Sequence, residues 1–468
     1  MTDAPNPASR ADALILFGAT GDLAFKKIFP ALQSMAQLGQ LDMPVVLLTR
    51  EGRSKEMLLA RARESAQTHG GGADDAAQRI VASRVQVVSG DYGEASTYQA
   101  LAAVLRGRVR PLFYLAIPPS AYAGVVNGLG AAGCAQGGRL LIEKPFGHDL
   151  ASSRELNAVV HRVFDETAVC RLDHYAGKLS VQNMALFRSG NAYAEAFWHR
   201  DVISCVKITM AESFGVAGRG RFYEEAGAIR DVFQNHLLLV VALLGMEPPG
   251  GSDGESVRAG LVKTYQSMRP LTPNDVVRGQ FRGYRAEAGV APSSTVETYA
   301  AVRLFLDSPR WDGVPFFVRT GKCLSVTANE VVVEFHRPAR PLLGGGAGEP
   351  NRLRFGLGPD HSIALDATVR KPTPGWELQT RALVLESGFT GDDEVAGYRD
   401  LIHAAVVGNM IPFTRGDGVE AQWRVVEPVL GDVTPLHEYE PGTWGPAAAG
   451  RLTERHGGWV DPRVHGAG

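Results

Sequence analysis

The chain has 468 residues, 45% hydrophobic and 21% charged, and its 48 basic and 50 acidic residues leave a formal charge of −2. The pI is near 6.7 and the mean hydropathy is −0.07. These values describe a soluble chain too long for one core, so two domains are expected; the lack of a global basic field argues against nucleic acid as a partner, and no apolar stretch reads as long enough to span a bilayer.

The start, Met1-Thr2-Asp3-Ala4-Pro5, has neither a basic nor an apolar signal region and reads as a short lead on a cytoplasmic protein. Six short apolar runs follow: Ala13–Phe17, Val45–Thr49, Val85–Ser89, Leu112–Ile117, Leu140–Glu143 and Ala168–Leu172. Separated by amphipathic stretches, they read as strands in a βαβ rhythm, which requires parallel pairing through right-handed crossovers. The expectation is an α/β Rossmann-type dinucleotide-binding domain over residues 1–178. Leu23, Ile28, Leu32, Met35 and Leu38 recur at roughly helical spacing, so a helix starts near Asp22.

Between the first run and that helix stands Gly18-Ala19-Thr20-Gly21-Asp22-Leu23-Ala24. A glycine turn there suits a dinucleotide pyrophosphate, because backbone amides and a helix N-terminus favour negative charge. Thr20 replaces the second glycine of G-x-G-x-x-G, and a plain tight turn is the alternative. The second run ends Thr49-Arg50-Glu51. Arg50 can pair with the 2′-phosphate of NADP and Glu51 could take the ribose hydroxyls of NAD, so NADP is preferred with NAD possible; a surface Arg–Glu pair is the alternative.

The fourth run ends at Ile117-Pro118-Pro119, a rigid loop that either lines a nicotinamide pocket or simply stops the strand. The fifth ends at Glu143-Lys144-Pro145, where the proline excludes helix at Lys144 and aims it at a sugar or cofactor, unless the pair is structural. The sixth leads into Arg171-Leu172-Asp173-His174-Tyr175-Ala176-Gly177-Lys178. An acid, an imidazole, a phenol and an ammonium packed together at a strand's carboxyl end suit a small anion; a hydrogen-bonded corner or surface ion-pair network is the bland reading.

Beyond Lys178 the rhythm changes. Strand-like alternations at Val202–Glu212, Thr298–Leu306 and Glu330–Phe335 accompany a helical stretch at Ile229–Leu244. Residues 179–468 therefore read as a larger, mixed α+β domain with a large sheet. Gly- and Pro-rich stretches at Pro248–Gly254, Pro270–Asn274 and Arg340–Pro350 read as mobile connections, and the tail from Pro441 to Gly468 is expected to wrap or fray. The helical stretch is apolar on most sides yet carries Asp231 and His236. A satisfied core histidine is one reading; with Asp173 to orient the imidazole, a general base is the other. Cys134, Cys170, Cys205 and Cys323 are widely spaced and read as reduced structural thiols, and without H-E-x-x-H or a close His–Cys grouping no metal is expected.

Together, G-A-T-G-D-L-A-F-K-K-I-F-P-A-L, I-E-K-P-F-G, R-L-D-H-Y-A-G-K, I-R-D-V-F-Q-N-H-L-L and R-T-G-K, in that order, resemble the glucose-6-phosphate dehydrogenase family. The resemblance implies oxidation of glucose 6-phosphate at C1 to the 6-phospho-lactone, the entry to the pentose phosphate pathway, by a homodimer or homotetramer in which residues 179–468 form an α+β domain with a mostly antiparallel sheet for substrate binding and dimerisation. It makes His236 the base, with Asp173 holding its imidazole, and gives Lys144 contacts to sugar and nicotinamide. His174, Tyr175 and Lys178 would bind the 6-phosphate; Glu212, Asp231 and Lys322 would bind the sugar. Gly18, Thr20, Gly21, Asp22, Leu23, Lys27 and Arg50 would serve the cofactor. Ala176 replaces a usual leucine, Phe25 a frequent basic residue, and Cys323-Leu324-Ser325-Val326-Thr327 lacks a further basic residue. A sugar oxidoreductase of the glucose–fructose oxidoreductase type also joins a Rossmann domain to an α+β domain, but lacks D-H-Y-x-G-K.

Overall fold

The computed structural model describes residues 9–50, 52–216, 218–251, 253–338, 349–373, 377–386 and 393–462. Glu51 and most of Arg340–Pro350 lie outside the described residues. The chain forms two compact units. The first comprises Met1–Leu179, Pro249–Val262 and Gly391–Glu420; the second takes Ser180–Pro248, Lys263–Thr390 and Ala421–Gly468. A single boundary at residue 178 therefore omits two later segments that return to the first unit.

Among the described residues the first unit holds a seven-stranded sheet. Its first six strands are β1 (Ala13–Phe17), β2 (Val45–Thr49), β3 (Val85–Ser89), β4 (Pro111–Leu115), β5 (Arg139–Glu143) and β6 (Val169–Leu172). They pair in parallel in the order β6-β5-β4-β1-β2-β3. β1, β2 and β4 are buried at every position, as strands covered by helices on both faces must be. The fourth strand stops at Leu115, short of the expected Ile117, where the chain turns toward the short helical turn Pro119–Ala121. The expected helix near Asp22 opens with a wide i→i+5 turn at Ala24–Ile28 and continues as an α-helix over Phe29–Gln37.

One carboxylate joins both returning segments to the sheet. Glu166 accepts hydrogen bonds from Arg171 Nη1 at 2.8 Å, Arg258 Nη2 at 3.1 Å and the Gly416 amide at 3.0 Å, gathering three segments distant in sequence. Residue 413 heads a short strand, Phe413–Thr414, that pairs antiparallel with β6. The helix Asp393–Val407 buries Tyr398, Leu401 and Ile402 in the same core as Leu32 and Leu172.

The second unit carries a nine-stranded sheet. In chain order its strands are β7 (Ile203–Ala211), β8 (Val276–Phe281), β9 (Tyr299–Leu304), β10 (Phe316–Gly321), β11 (Ala328–Phe335), β12 (Arg352–Gly358), β13 (Ser362–Arg370), β14 (Leu378–Glu386) and, with the earlier Phe413–Thr414 as β15, β16 (Leu436–Tyr439). Only the β7–β10 and β8–β16 pairs are parallel among the described strands, so the sheet is mostly antiparallel as expected. Pro270–Asn274 is no loose connection: Leu271 is buried and its amide donates to the Val425 carbonyl, because the stretch packs an apolar side chain inward. The tail wraps: Trp444 and Trp459 sandwich the Arg319 guanidinium at 4.5 and 4.9 Å, and Asp461 pairs with it at 2.7 Å.

The helical span Gly220–Gly245 is long and apolar enough to cross a membrane by length and composition, contrary to the expectation from sequence, and its apolar window is 78% buried inside the protein. Gly227 interrupts it at φ 64°, ψ 175°. Its last segment, Leu238–Gly245, is apolar on every side and almost wholly buried, as a helix inside a protein core is.

Removing the Glu166 carboxylate leaves Arg171 and Arg258, both at most 2% exposed, without their shared counter-charge. Glu166→Ala is expected to lower unfolding stability by about 3 kcal/mol or more in urea titrations. A loss under about 1 kcal/mol would show that the Glu166 contacts add little to the hold on these segments.

Candidate active site

In the first unit, the sheet's carboxyl edge carries the expected residues. The chain leaves β1 at Gly18, whose φ of +83° suits glycine and whose absent Cβ would collide with the Ala116 carbonyl oxygen. The Gly18 amide donates to Tyr92 Oη at 2.9 Å, and the Gly21 amide to the Gly18 carbonyl at 2.9 Å. Thr20 and Asp22 are exposed and Leu23 half-buried at the mouth of the following helix. The backbone approaches closely and the helix start faces outward, which fits a dinucleotide pyrophosphate. Nearby, the exposed Arg50 lies with its guanidinium 5.1 Å from the centre of the Tyr92 ring. Lys26 and Lys27 are engaged by carboxylates, Asp22 at 3.4 Å and Glu394 at 2.5 Å.

Two side chains at this turn escaped the sequence reading. Arg61, on the helix Lys55–His69, donates to the Thr20 carbonyl at 3.1 Å and stacks 4.5 Å from the Phe25 ring centre. Ser65 on the same helix donates to the Phe25 carbonyl.

At the end of β5, Glu143 is 8% exposed and accepts from Tyr114 Oη at 2.5 Å, while its carbonyl accepts from Tyr122 Oη at 2.9 Å. Lys144 follows, half-buried, before a cis peptide to Pro145. Burial pushes the Glu143 carboxyl up to about 7; Asp173 adds to the rise, against the Tyr114 hydrogen bond and the Lys144 charge.

β6 delivers Asp173, 5% exposed, whose Oδ1 accepts from the Tyr175 amide at 2.9 Å and so caps the turn His174–Gly177. Tyr175 is buried, its ring edge-on to His174 at 5.2 Å and 4.5 Å from Lys178 Nζ. His174 and Lys178 remain half-buried. The turn packs on the helix Asp393–Val407: Tyr398 stacks over His174 at 6.3 Å, and a Cβ at Gly177 would lie 2.7 Å from the Gly397 carbonyl oxygen. Tyr398 and Glu394 are invisible to local reading because they lie more than 200 residues downstream.

In the second unit, β7 and β10 run parallel with Ala211 opposite Gly321, so the next residues, Glu212 and Lys322, emerge side by side and form an ion pair. Lys322 Nζ also lies 5.1 Å from the Phe214 ring centre. Asp231 and His236 share the wide i→i+5 turns of Ile229–Leu237, a geometry often found at functional sites. His236 is 3% exposed and Asp231 is half-buried. Glu297, also unanticipated, anchors the entry to this helix: its Oε1 accepts from the Ile229 amide at 3.1 Å, and Arg278 Nε donates to Oε2 at 3.3 Å.

The first unit is thus a Rossmann-type dinucleotide-binding domain with an anion-suited turn at the end of its sixth strand. The family model described as "Glucose-6-phosphate dehydrogenase, NAD binding domain" matches residues 15–183, and "Glucose-6-phosphate dehydrogenase, C-terminal domain" matches residues 185–460. Glucose-6-phosphate 1-dehydrogenase 1 of Mycobacterium tuberculosis (strain CDC 1551 / Oshkosh) is 39% identical over 99% of this chain and 98% of its own length. A crystal structure of glucose-6-phosphate 1-dehydrogenase from Mycobacterium avium superposes with a TM-score of 0.91 at 39% identity, covering 97% of this chain and 99% of that one. A glucose-6-phosphate dehydrogenase solved in complex with glucose 6-phosphate gives 0.89 at 31% identity, with the same coverage. The chain belongs to the glucose-6-phosphate dehydrogenase family.

The raised Glu143 carboxyl has a thermodynamic sign. Between the unfolded value, about 4.3, and about 7 the folded chain keeps a proton there that the unfolded chain has lost, so stability falls as pH rises through that window and levels off above it. Relative to Glu143→Gln, the wild type is expected to lose on the order of 3 kcal/mol between about pH 4.5 and 7.5, read by chemical unfolding at several pH values. A difference that stays flat with pH would mean the carboxyl is ionised throughout.

Proposed function

We infer that the protein oxidises D-glucose 6-phosphate at C1 to 6-phospho-D-glucono-1,5-lactone with NADP as acceptor, the entry step of the pentose phosphate pathway. The observation that carries this reading is the Asp173–Lys178 turn, complete and capped at the end of β6, in a chain matched by this family from residue 15 to residue 460.

In this reading Lys178, His174 and Tyr175 bind the 6-phosphate, supplying an ammonium, an imidazole and a phenol as converging donors. Glu212, Asp231 and Lys322 bind the sugar hydroxyls, and Lys144 contacts both the sugar and the nicotinamide side. His236 takes the proton of the C1 hydroxyl while Asp173 orients the imidazole and offsets its developing charge. As the O–H electrons form the C1 carbonyl, hydride leaves C1; the nicotinamide, when bound, accepts it. Gly18, Thr20, Gly21, Asp22 and Leu23 supply the pyrophosphate turn, with Lys27 beside it. Arg50 favours NADP over NAD, since an arginine accommodates a 2′-phosphate.

The composition supports a cytoplasmic enzyme without nucleic-acid or membrane partners. Self-association as a homodimer or homotetramer is supported by the edge strand β14, where Leu383, Val384 and Leu385 are each more than half exposed. Among the described residues that edge is unpaired, and an unpaired edge carrying exposed apolar side chains is a surface that pairing would cover.

His236→Asn is expected to lower kcat by roughly 10²–10⁴-fold with the KM for glucose 6-phosphate within a few-fold of wild type. Retention of more than about a tenth of kcat would remove His236 from the role of base. Remote binding energy places the reacting centre, so unphosphorylated glucose should be a very poor substrate. Lys178→Ala should raise the KM for glucose 6-phosphate at least about tenfold while leaving the slow turnover of glucose unchanged. Comparable kcat/KM for glucose and glucose 6-phosphate in the wild type would sink the assignment in favour of a general sugar oxidoreductase.

A further inference from the structure

We propose that Arg61 is a second reader of the adenosine 2′-phosphate of NADP, acting beside Arg50. The proposal rests on the NADP-dependent reading above and adds to it a residue outside every recognised motif.

The helix Lys55–His69 follows β2, the strand whose end faces the ribose 2′ position in dinucleotide-binding folds. This helix is fastened to the cofactor turn at two carbonyls. Buried Ser65 donates to that of Phe25, and Arg61 Nη2 to that of Thr20. The Arg61 guanidinium also lies against the Phe25 ring, so its direction is set by stacking as well as by a hydrogen bond.

Among the described residues this guanidinium has no counter-charge. Around the turn, Lys26 is paired with Asp22, Lys27 with Glu394, and Arg63, two residues along the same helix, with Asp75. Arg61 and Arg50 carry no carboxylate partner among the described residues, and Arg61 Nε is buried without a hydrogen-bond partner. A single carbonyl uses one of the five guanidinium donors. A fixed, half-satisfied fork of this kind matches a phosphate monoester, which offers three acceptor oxygens and up to two negative charges, far better than a ribose hydroxyl. The pyrophosphate is the other phosphate in the cofactor, but the β1 turn's own amides and helix start serve it. Arg61 approaches from the β2 side, as Arg50 does.

The test measures binding to the full-length protein without turnover, using NADP, NAD, 2′,5′-ADP and 5′-AMP in titration calorimetry. Arg61→Leu is expected to weaken NADP and 2′,5′-ADP at least tenfold and to leave NAD and 5′-AMP within twofold. Arg61→Lys, which keeps the charge but loses the fork and most of the stacking, should fall between and guards against a leucine variant that fails to fold. Arg50→Ala should show the same selectivity, and the two losses should both appear in the double variant. Equal weakening of all four ligands, or no weakening of 2′,5′-ADP, would overturn the proposal. Oxidation of glucose 6-phosphate by the wild type is assayed separately: its absence would refute the proposed reaction while leaving the Arg61 result readable. A wild type that binds 5′-AMP as tightly as 2′,5′-ADP would refute the NADP preference itself.

Discussion

A parallel sheet sends all its strands out at one edge, and in the first unit every expected side chain hangs from that edge. β1 ends in the glycine turn, β2 in Arg50, β5 in Glu143 and Lys144, β6 in Asp173 and the turn that follows. Parallel pairing requires a crossover between strands, so helices cover both faces and the polar ends are the places where functional groups can reach solvent. The same constraint acts locally in the second unit. There the one parallel pair in the middle of a mostly antiparallel sheet, β7 with β10, sets Glu212 beside Lys322.

How much of this could be read from the sequence follows from the range of each interaction. β1 and β2 have the expected bounds because strands buried on both faces are short continuous apolar runs; β3, at the sheet's edge with Gln86 and Ser89 exposed, keeps its expected bounds as well. The fourth strand was read two residues long because Ala116 and Ile117 are apolar, although the strand's ladder has already ended. Gly18, Asp173 and Lys178 were legible because each sits within a few residues of the strand that positions it. Asp231 and His236 were legible as polar intrusions on an apolar helix, but the wide turns that carry them were not, since i→i+4 and i→i+5 bonding leave the same composition.

The side chains that were missed act across long stretches of chain. Glu166 is an ordinary acid in its local context; its importance lies in Arg258 and Gly416, 92 and 250 residues away. Glu297 holds the start of the helix bearing Asp231 and His236 from 68 residues beyond Ile229. Tyr398 and Glu394 reach back to His174 and Lys27 from a helix that local periodicity assigns to no site. Glu166, Glu297 and Glu394 stand in no recognised motif and Tyr398 only in the family-like stretch Gly397–Ile402, because the motifs list the groups proposed to touch ligand and these residues touch those groups instead.

That division has a physical reason. A charged or polar group at a strand end is useful only if its direction is fixed, and fixing it takes partners that a flexible end segment does not contain. The glycine turn is held by Tyr92, the phosphate-suited turn by the Asp173 cap and the Tyr398 stack, and the Glu143 carboxyl by Tyr114. Each support is itself buried, which makes its hydrogen bonds strong and its loss expensive. A chain in this family could therefore keep every recognised motif and still lose precision at the site through substitutions at positions such as Tyr92, Glu297 or Tyr398. Intact motifs show which chemistry a chain is equipped for; the buried partners from elsewhere in the sequence decide whether the groups point where that chemistry needs them.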